Sequence, residues 1–159
     1  MTVRIPSAEF SLPDSYTIAS EATSSMFGGN ILAPRNPMTG QGSYEQAINE
    51  LGVTGLRYPG GSLTEDYFDI ANPNQTEVAH PTTGATSKFI ALSEFMDYAG
   101  TNGHEVTIVI PTRYSLSDTV DANGDRSPDI DEDTLRDFVH DLATGVYGDA
   151  PVAGLEIGN

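Results

Sequence analysis

The sequence contains no cysteine, which removes disulfides, zinc–thiolate sites and thiol chemistry. Basic residues are scarce: seven Lys and Arg stand against 23 Asp and Glu, for a formal charge of −16. That balance argues against nucleic acid as a partner, because phosphate binding needs clustered cations. It disfavours an anionic membrane surface for the same reason. No apolar run approaches the roughly 18 residues of a membrane helix. Residues 1–10 lack the basic and apolar stretches of a signal peptide. Hydrophobic residues make up 38% of the chain, below the about 45–50% usual for globular domains. The acidity reads as a solubility device, suited to a salty medium or to calcium.

What is present alternates between strand and helix patterns, in a chain long enough for one domain with a core. Residues 1–24 read as a lead-in or short edge strands. Residues 25–32 predict a first barrel-type strand, where Gly28 and Gly29 allow close backbone approach. Ser43 and Gln46 form a capping box; Tyr44, Ala47, Ile48 and Leu51 then fall on one helical face, and Gly52 ends the helix. Residues 53–58 predict a second strand, ended by Pro59-Gly60-Gly61. An irregular stretch runs from Ser62 to about Gly84. Ser87 is expected to open a second helix with Phe89, Leu92, Met96 and Ala99 along one side. The β-branched run 106–110 predicts a strand, stopped by Pro111. A long loop over residues 112–130 leads to a third helix near Asp133, with the stripe Leu135, Phe138, Val139, Leu142 and Val146. Residues 152–159 follow as a short buried strand.

Such alternation means parallel strands joined by right-handed crossovers. Both long loops follow strands, whereas the helix-to-strand links are short, as in a β/α barrel whose site lies on the C-terminal face. A flavodoxin-like open sheet gives the same alternation. The expected fold class is α/β: residues 25–159 as the first half, about four β/α units, of a TIM (β/α)8 barrel cut after its fourth strand. That strand delivers Asn159 to the ligand face and nothing follows to close the fold, so the chain reads as a fragment.

Several residues carry candidate chemistry. Arg57 ends an apolar strand on the ligand face, where a charge needs a carboxylate partner, either in a bridge that closes the barrel or in a substrate site. Gly60-Gly61 suggests a phosphate cradle, but both G-x-G-x-x-G and the Walker pattern are absent. Tyr67, beside Glu65, Asp66 and Phe68, suits a sugar C–H face or simply anchors its loop. Arg113 and Tyr114 hold the corresponding place after the next strand. Asp121, Asn123, Asp125, Asp129 and Glu132 space their oxygens as a calcium loop does. Arg126 stands where the EF-hand needs glycine and a strand replaces the preceding helix, so the motif is at most a calcium-binding surface loop. The other reading is an acidic loop in which Asp131 or Asp133 caps the third helix. His80, His104 and His140 are scattered and read as ordinary satisfied residues.

Phe27-Gly28-Gly29-Asn30, Leu56-Arg57-Tyr58-Pro59-Gly60-Gly61 and Glu156-Ile157-Gly158-Asn159 together resemble the first half of a clan A retaining glycoside hydrolase. The nearest likeness is to α-L-arabinofuranosidases and heparanase-like β-glucuronidases. In that family the fourth strand of the (β/α)8 barrel ends in Asn-Glu, the Glu being the acid/base. The resemblance implies that Arg57 hydrogen-bonds the nucleophile carboxylate and that Asn159 contacts the sugar 2-hydroxyl. Asn30, Tyr67, Arg113 and Tyr114 are the further candidates for contact with the substrate. The acid/base would follow Asn159 and the nucleophile would come from a later strand, the two about 5–5.5 Å apart. Glu156 cannot replace either, lying opposite Asn159 by strand alternation. The chain alone is thus expected to bind oligo- or polysaccharide without cleaving it, within a secreted parent. No cofactor is needed for the chemistry, and structural calcium is the one metal candidate. Exposed edges of the first and last strands would favour self-association. The rival reading is a non-catalytic carbohydrate-binding or calcium-dependent adhesive module.

Overall fold

In this computed structural model of the protein, the residues described are 28–30, 42–80, 82–113 and 115–158. Four strands make one sheet: β1 (Gly28–Asn30), β2 (Gly55–Tyr58), β5 (Glu105–Ile110) and β8 (Val152–Ile157). They lie side by side in the order β1-β2-β5-β8, and every pair is parallel. The order follows the chain without reversal. A flavodoxin-like sheet places its second strand outside its first, so that alternative does not fit. The arrangement is consistent with part of a TIM-barrel-like fold.

The crossovers are helical. The helix α1 (Tyr44–Leu51) begins as its sequence predicts: the Ser43 hydroxyl oxygen accepts the Gln46 amide at 3.2 Å. Gln46 reaches back to the Gly42 amide at 2.7 Å, and Gly52 ends the helix at φ 64°. The helix α4 (Glu132–Ala143) is capped by Asp131, whose carboxylate accepts the Thr134 amide at 2.8 Å. Phe138 and Leu142 of its expected stripe are buried, while Val146 is 61% exposed beyond the helix end.

Between these, three expectations are corrected. Residues 62–84 are not irregular: they hold α2 (Ser62–Tyr67) and the first strand of an antiparallel hairpin, β3 (Glu77–Ala79) with β4 (Thr86–Lys88). Ser87 does not open a helix, because it lies in β4 opposite Val78. The helix α3 (Leu92–Thr101) starts five residues later behind Ala91, which offers no side-chain cap. Its first amides are served from a distant turn instead: Leu92 donates to the Pro73 carbonyl at 3.0 Å and Ser93 to Asn74 Oδ1 at 2.9 Å. The loop after β5 likewise forms a hairpin, β6 (Leu116–Val120) with β7 (Arg126–Pro128).

The core lies on one side of the sheet. Leu56 and Tyr58 of β2, with Val106, Ile108 and Ile110 of β5, pack towards the helices and are essentially shielded from solvent. The Tyr58 ring stacks on Phe95 of α3 at 4.8 Å and meets Phe68 and Phe89 edge-on. Its hydroxyl donates to the Ile90 carbonyl, and burial pushes its pKa up. The expectation of a buried last strand is corrected in part. Leu155 and Ile157 pair in register with Ile108 and Ile110, yet they are 40% and 57% exposed. Among the described residues β8 is hydrogen-bonded to β5 alone, so its other edge is unpaired.

Removing the ring that joins α3 to the sheet tests this packing. Phe95→Ala is expected to destabilise the fold by about 3–5 kcal/mol, the usual cost of emptying a buried aromatic site. Urea unfolding followed by circular dichroism measures it, and a loss under about 1 kcal/mol would mean that α3 does not pack as described.

Candidate functional site

Strand alternation that sends Leu56 and Tyr58 to the core turns Arg57 to the sheet's other face. Asn30, Arg57 and Thr107 are in register there, and Thr107 in turn pairs with Gly154. Two residues further along β8 stands Glu156. Arg57 reaches it across β5, a span of about 10 Å for two strand spacings. The pair is bidentate: Nε donates to Oε2 at 2.7 Å and Nη2 to Oε1 at 2.6 Å. Arg57 Nη1 also donates to Asn30 Oδ1 at 3.1 Å. The carboxylate partner that the sequence demands for Arg57 is therefore Glu156. A β-carbon at Gly60 would fall 2.4 Å from Asn30 Oδ1, so the Pro-Gly-Gly turn leaves room for the asparagine amide rather than for phosphate.

The bridge sets the charge state of this face. Hydrogen bonds from Arg57 hold the Glu156 carboxyl below its ordinary value of 4.5 and raise the guanidinium further. Glu156 is therefore ionised at neutral pH, as an acceptor and not a proton donor. Beside the triad lies an open cavity of about 430 Å³, bordered by Gly28, Gly29, Gly55, Glu105 and Thr107. Polar groups in a concavity bordered by glycines suit ligand hydroxyls.

A second cluster stands where the strands end. Arg113, just past β5, pairs with Asp66 of α2 at 2.5 Å. Asp66 Oδ1 lies 3.9 Å from His80 Nε2, and the Tyr67 ring meets the His80 ring edge-on at 5.6 Å. His80 Nδ1 accepts the Thr82 and Thr83 amides at 3.1 and 3.3 Å, which leaves the Nε2–H tautomer facing Asp66. Glu65 is buried, and its Oε2 accepts the Thr112 and Arg113 amides. Glu65, Asp66, Tyr67, Gln75, Pro111 and Ile130 line a cavity of about 340 Å³. A larger cavity of about 540 Å³ lies elsewhere, against α4 and the apolar flank of β8; among the described residues no candidate site residue lines it.

Of the residues singled out in the sequence, Asn30 and Arg57 meet directly, and Tyr67 and Arg113 meet through their neighbours. Tyr114 and Asn159 lie outside the described residues. Gly158 has φ +78°, so the extended backbone of β8 ends before it. Sequence reading missed the pairing role of Glu156, which only the register across β5 reveals. It also missed His80 at this cluster, because the hairpin that brings it there has no strong strand pattern. The calcium candidates fall elsewhere. Asp121 Oδ1 accepts the Asn123 and Asp125 amides at 2.8 and 2.9 Å in the turn between β6 and β7, and those hydrogen bonds hold its pKa down. Asp129 follows β7, and Glu132 opens α4. Among the described residues no three His, Asp or Glu side chains gather as for a metal ion.

No protein-family model matches the sequence, and no curated protein matches it significantly. Among solved structures the fold is similar to AbfB, a family 51 α-L-arabinofuranosidase from Bifidobacterium longum, with a TM-score of 0.51 and 17% identity. The likeness covers 93% of this chain and 32% of that enzyme. The chain thus spans about a third of the length of the protein it resembles, and what the likeness shows is a distant glycoside hydrolase-like fold.

The bridge makes stability pH-dependent. A depressed native pKa means that the pair stabilises above 4.5, and this contribution is lost as pH falls through the native value. Wild type is expected to lose more stability between about pH 6 and about pH 3 than Arg57→Met/Glu156→Gln. The side chains are 24% and 41% exposed, so solvent screening limits the difference to about 1 kcal/mol. Parallel pH profiles would refute the bridge. Calcium held by the 121–132 loop would show as a saturating rise of the unfolding midpoint with millimolar calcium at constant ionic strength; an unchanged midpoint would rule it out.

Proposed function

We propose that this chain forms the first four β/α units of the (β/α)8 barrel of a clan A retaining glycoside hydrolase, of the α-L-arabinofuranosidase type. One observation carries the reading: four parallel strands run in sequential order, and the long connections of β2 and β5 leave their C-terminal ends, where a barrel gathers its ligand. The fold likeness to an arabinofuranosidase supports it.

On this reading the chain contributes part of a sugar site. Asn30 and Arg57 belong to the interior face and Tyr67 and Arg113 to the rim, and Tyr114 and Asn159, outside the described residues, are added from the sequence alone. The acid/base belongs to the position after Asn159 and the nucleophile to a later strand. Retention needs those two carboxylates about 5–5.5 Å apart. Arg57 then has a divided role: Glu156 already takes its Nε and Nη2 hydrogens, so the guanidinium would serve Glu156 and the nucleophile together. The substrate is an oligo- or polysaccharide met outside the cell. The exposed edges of the first and last strands favour self-association of the chain when it is alone.

The test is a heteronuclear NMR titration with L-arabinose and with 4-nitrophenyl α-L-arabinofuranoside. Binding is expected to shift the signals of Asn30, Arg57, Tyr67, Arg113 and Asn159, without release of nitrophenol. Absence of binding, or shifts confined to α4 and the β6–β7 hairpin, would defeat the proposal.

A further inference from the structure

Among the described residues Glu65 is the only buried carboxylate, at 5% exposure. Burying an ionised carboxylate is unfavourable unless hydrogen-bond donors meet it. Here the donors are backbone amides: Thr112 and Arg113 both donate to Oε2, at 2.8 and 2.6 Å. These are the first amides after Pro111, where the chain leaves β5. The neighbouring carboxylate, Asp66, takes the Arg113 side chain. Two successive residues of α2 therefore hold residues 112 and 113, one by the backbone and one by the guanidinium.

The end of β8 leans on the same place. The Gly158 amide donates to the Ile110 carbonyl at 2.9 Å. A β-carbon at Gly158 would stand 3.0 Å from Thr112 Oγ1 and 3.9 Å from Glu65 Oε1. With φ at +78°, Gly158 is the residue at which the backbone turns out of the strand against Thr112 and Glu65. The α2 segment after β2, the backbone leaving β5 and Gly158 at the end of β8 thus meet at one carboxylate.

We propose that Glu65 is a positioning residue of the sugar site: by fixing the Thr112–Arg113 backbone against which Gly158 packs, it sets where Arg113 presents its side chain. The role rests on the sugar-site reading above. It differs from a direct ligand role, because Glu65 Oε2 is occupied by protein amides. Both amides share one oxygen, so a carboxamide oxygen can replace it. Glu65→Gln keeps that acceptor and Glu65→Ala removes it.

The experiment compares wild type, Glu65→Gln and Glu65→Ala in arabinotriose titrations by calorimetry, at a temperature where circular dichroism shows all three folded. Amide hydrogen exchange is followed in parallel. Glu65→Ala is expected to weaken binding about tenfold or more, the order of effect of a small misplacement of binding groups, while Glu65→Gln stays within about threefold of wild type. Exchange of the Thr112, Arg113 and Gly158 amides should speed up in Glu65→Ala while the amides of α4 keep their protection. If wild type binds and Glu65→Ala binds equally well, the positioning role is overturned and the sugar site stands. If exchange speeds up uniformly, Glu65 serves stability alone. If wild type binds no arabinotriose, the sugar-site reading falls and takes this role with it.

Discussion

Everything in the sheet follows from where Tyr58 points. Its ring is fully buried, stacked on Phe95 and edged by Phe68 and Phe89, so strand β2 has one permitted orientation. Side chains alternate across a strand, and a slip of one residue would expose this ring and bury the guanidinium beside it. Packing against α3 is thus what turns Arg57 to the opposite face. The core and the candidate site are two sides of one constraint.

Once Arg57 faces away from the helices, its charge selects the rest of that face. A guanidinium carries a planar fork of donors, matched best by a carboxylate. The nearest strand, β5, presents Thr107 in register with it, and β8 presents Gly154 beyond that. These small residues let the guanidinium pass over β5 and find Glu156. The bridge therefore ties β2 to β8 through side chains, where backbone hydrogen bonds connect only adjacent strands. The same contact keeps Glu156 charged, which rules it out as a proton donor at neutral pH.

A similar logic operates at the strand ends. Loops leaving parallel strands expose backbone amides that must find acceptors. Glu65 supplies one for the connection after β5, and Asn74 and Pro73 supply them for the start of α3. In both cases the partner comes from the connection after β2, the segment that looked structureless. Residues 62–91 thus hold the start of the connection after β5 as well as the start of α3.

Local patterns in the chain were enough for the helices with their own caps, α1 and α4, because Ser43 and Asp131 lie within a turn of the amides they serve. They were enough for the parallel character of the sheet, since strand–helix alternation leaves few other topologies. The need of Arg57 for a carboxylate was legible too, because it follows from placing a charge on an apolar strand. Tertiary structure decided what depends on residues distant in sequence. The start of α3 rests on a cap nearly twenty residues upstream, so Ser87 looked like a helix signal and is a strand residue. The hairpins are too short and too polar to announce themselves by period. Glu156 became the partner of Arg57 through a register set across β5, 99 positions away along the chain. Amino-acid order encodes period and local capping directly; which face meets which, and which charge finds which, is settled only when the strands align.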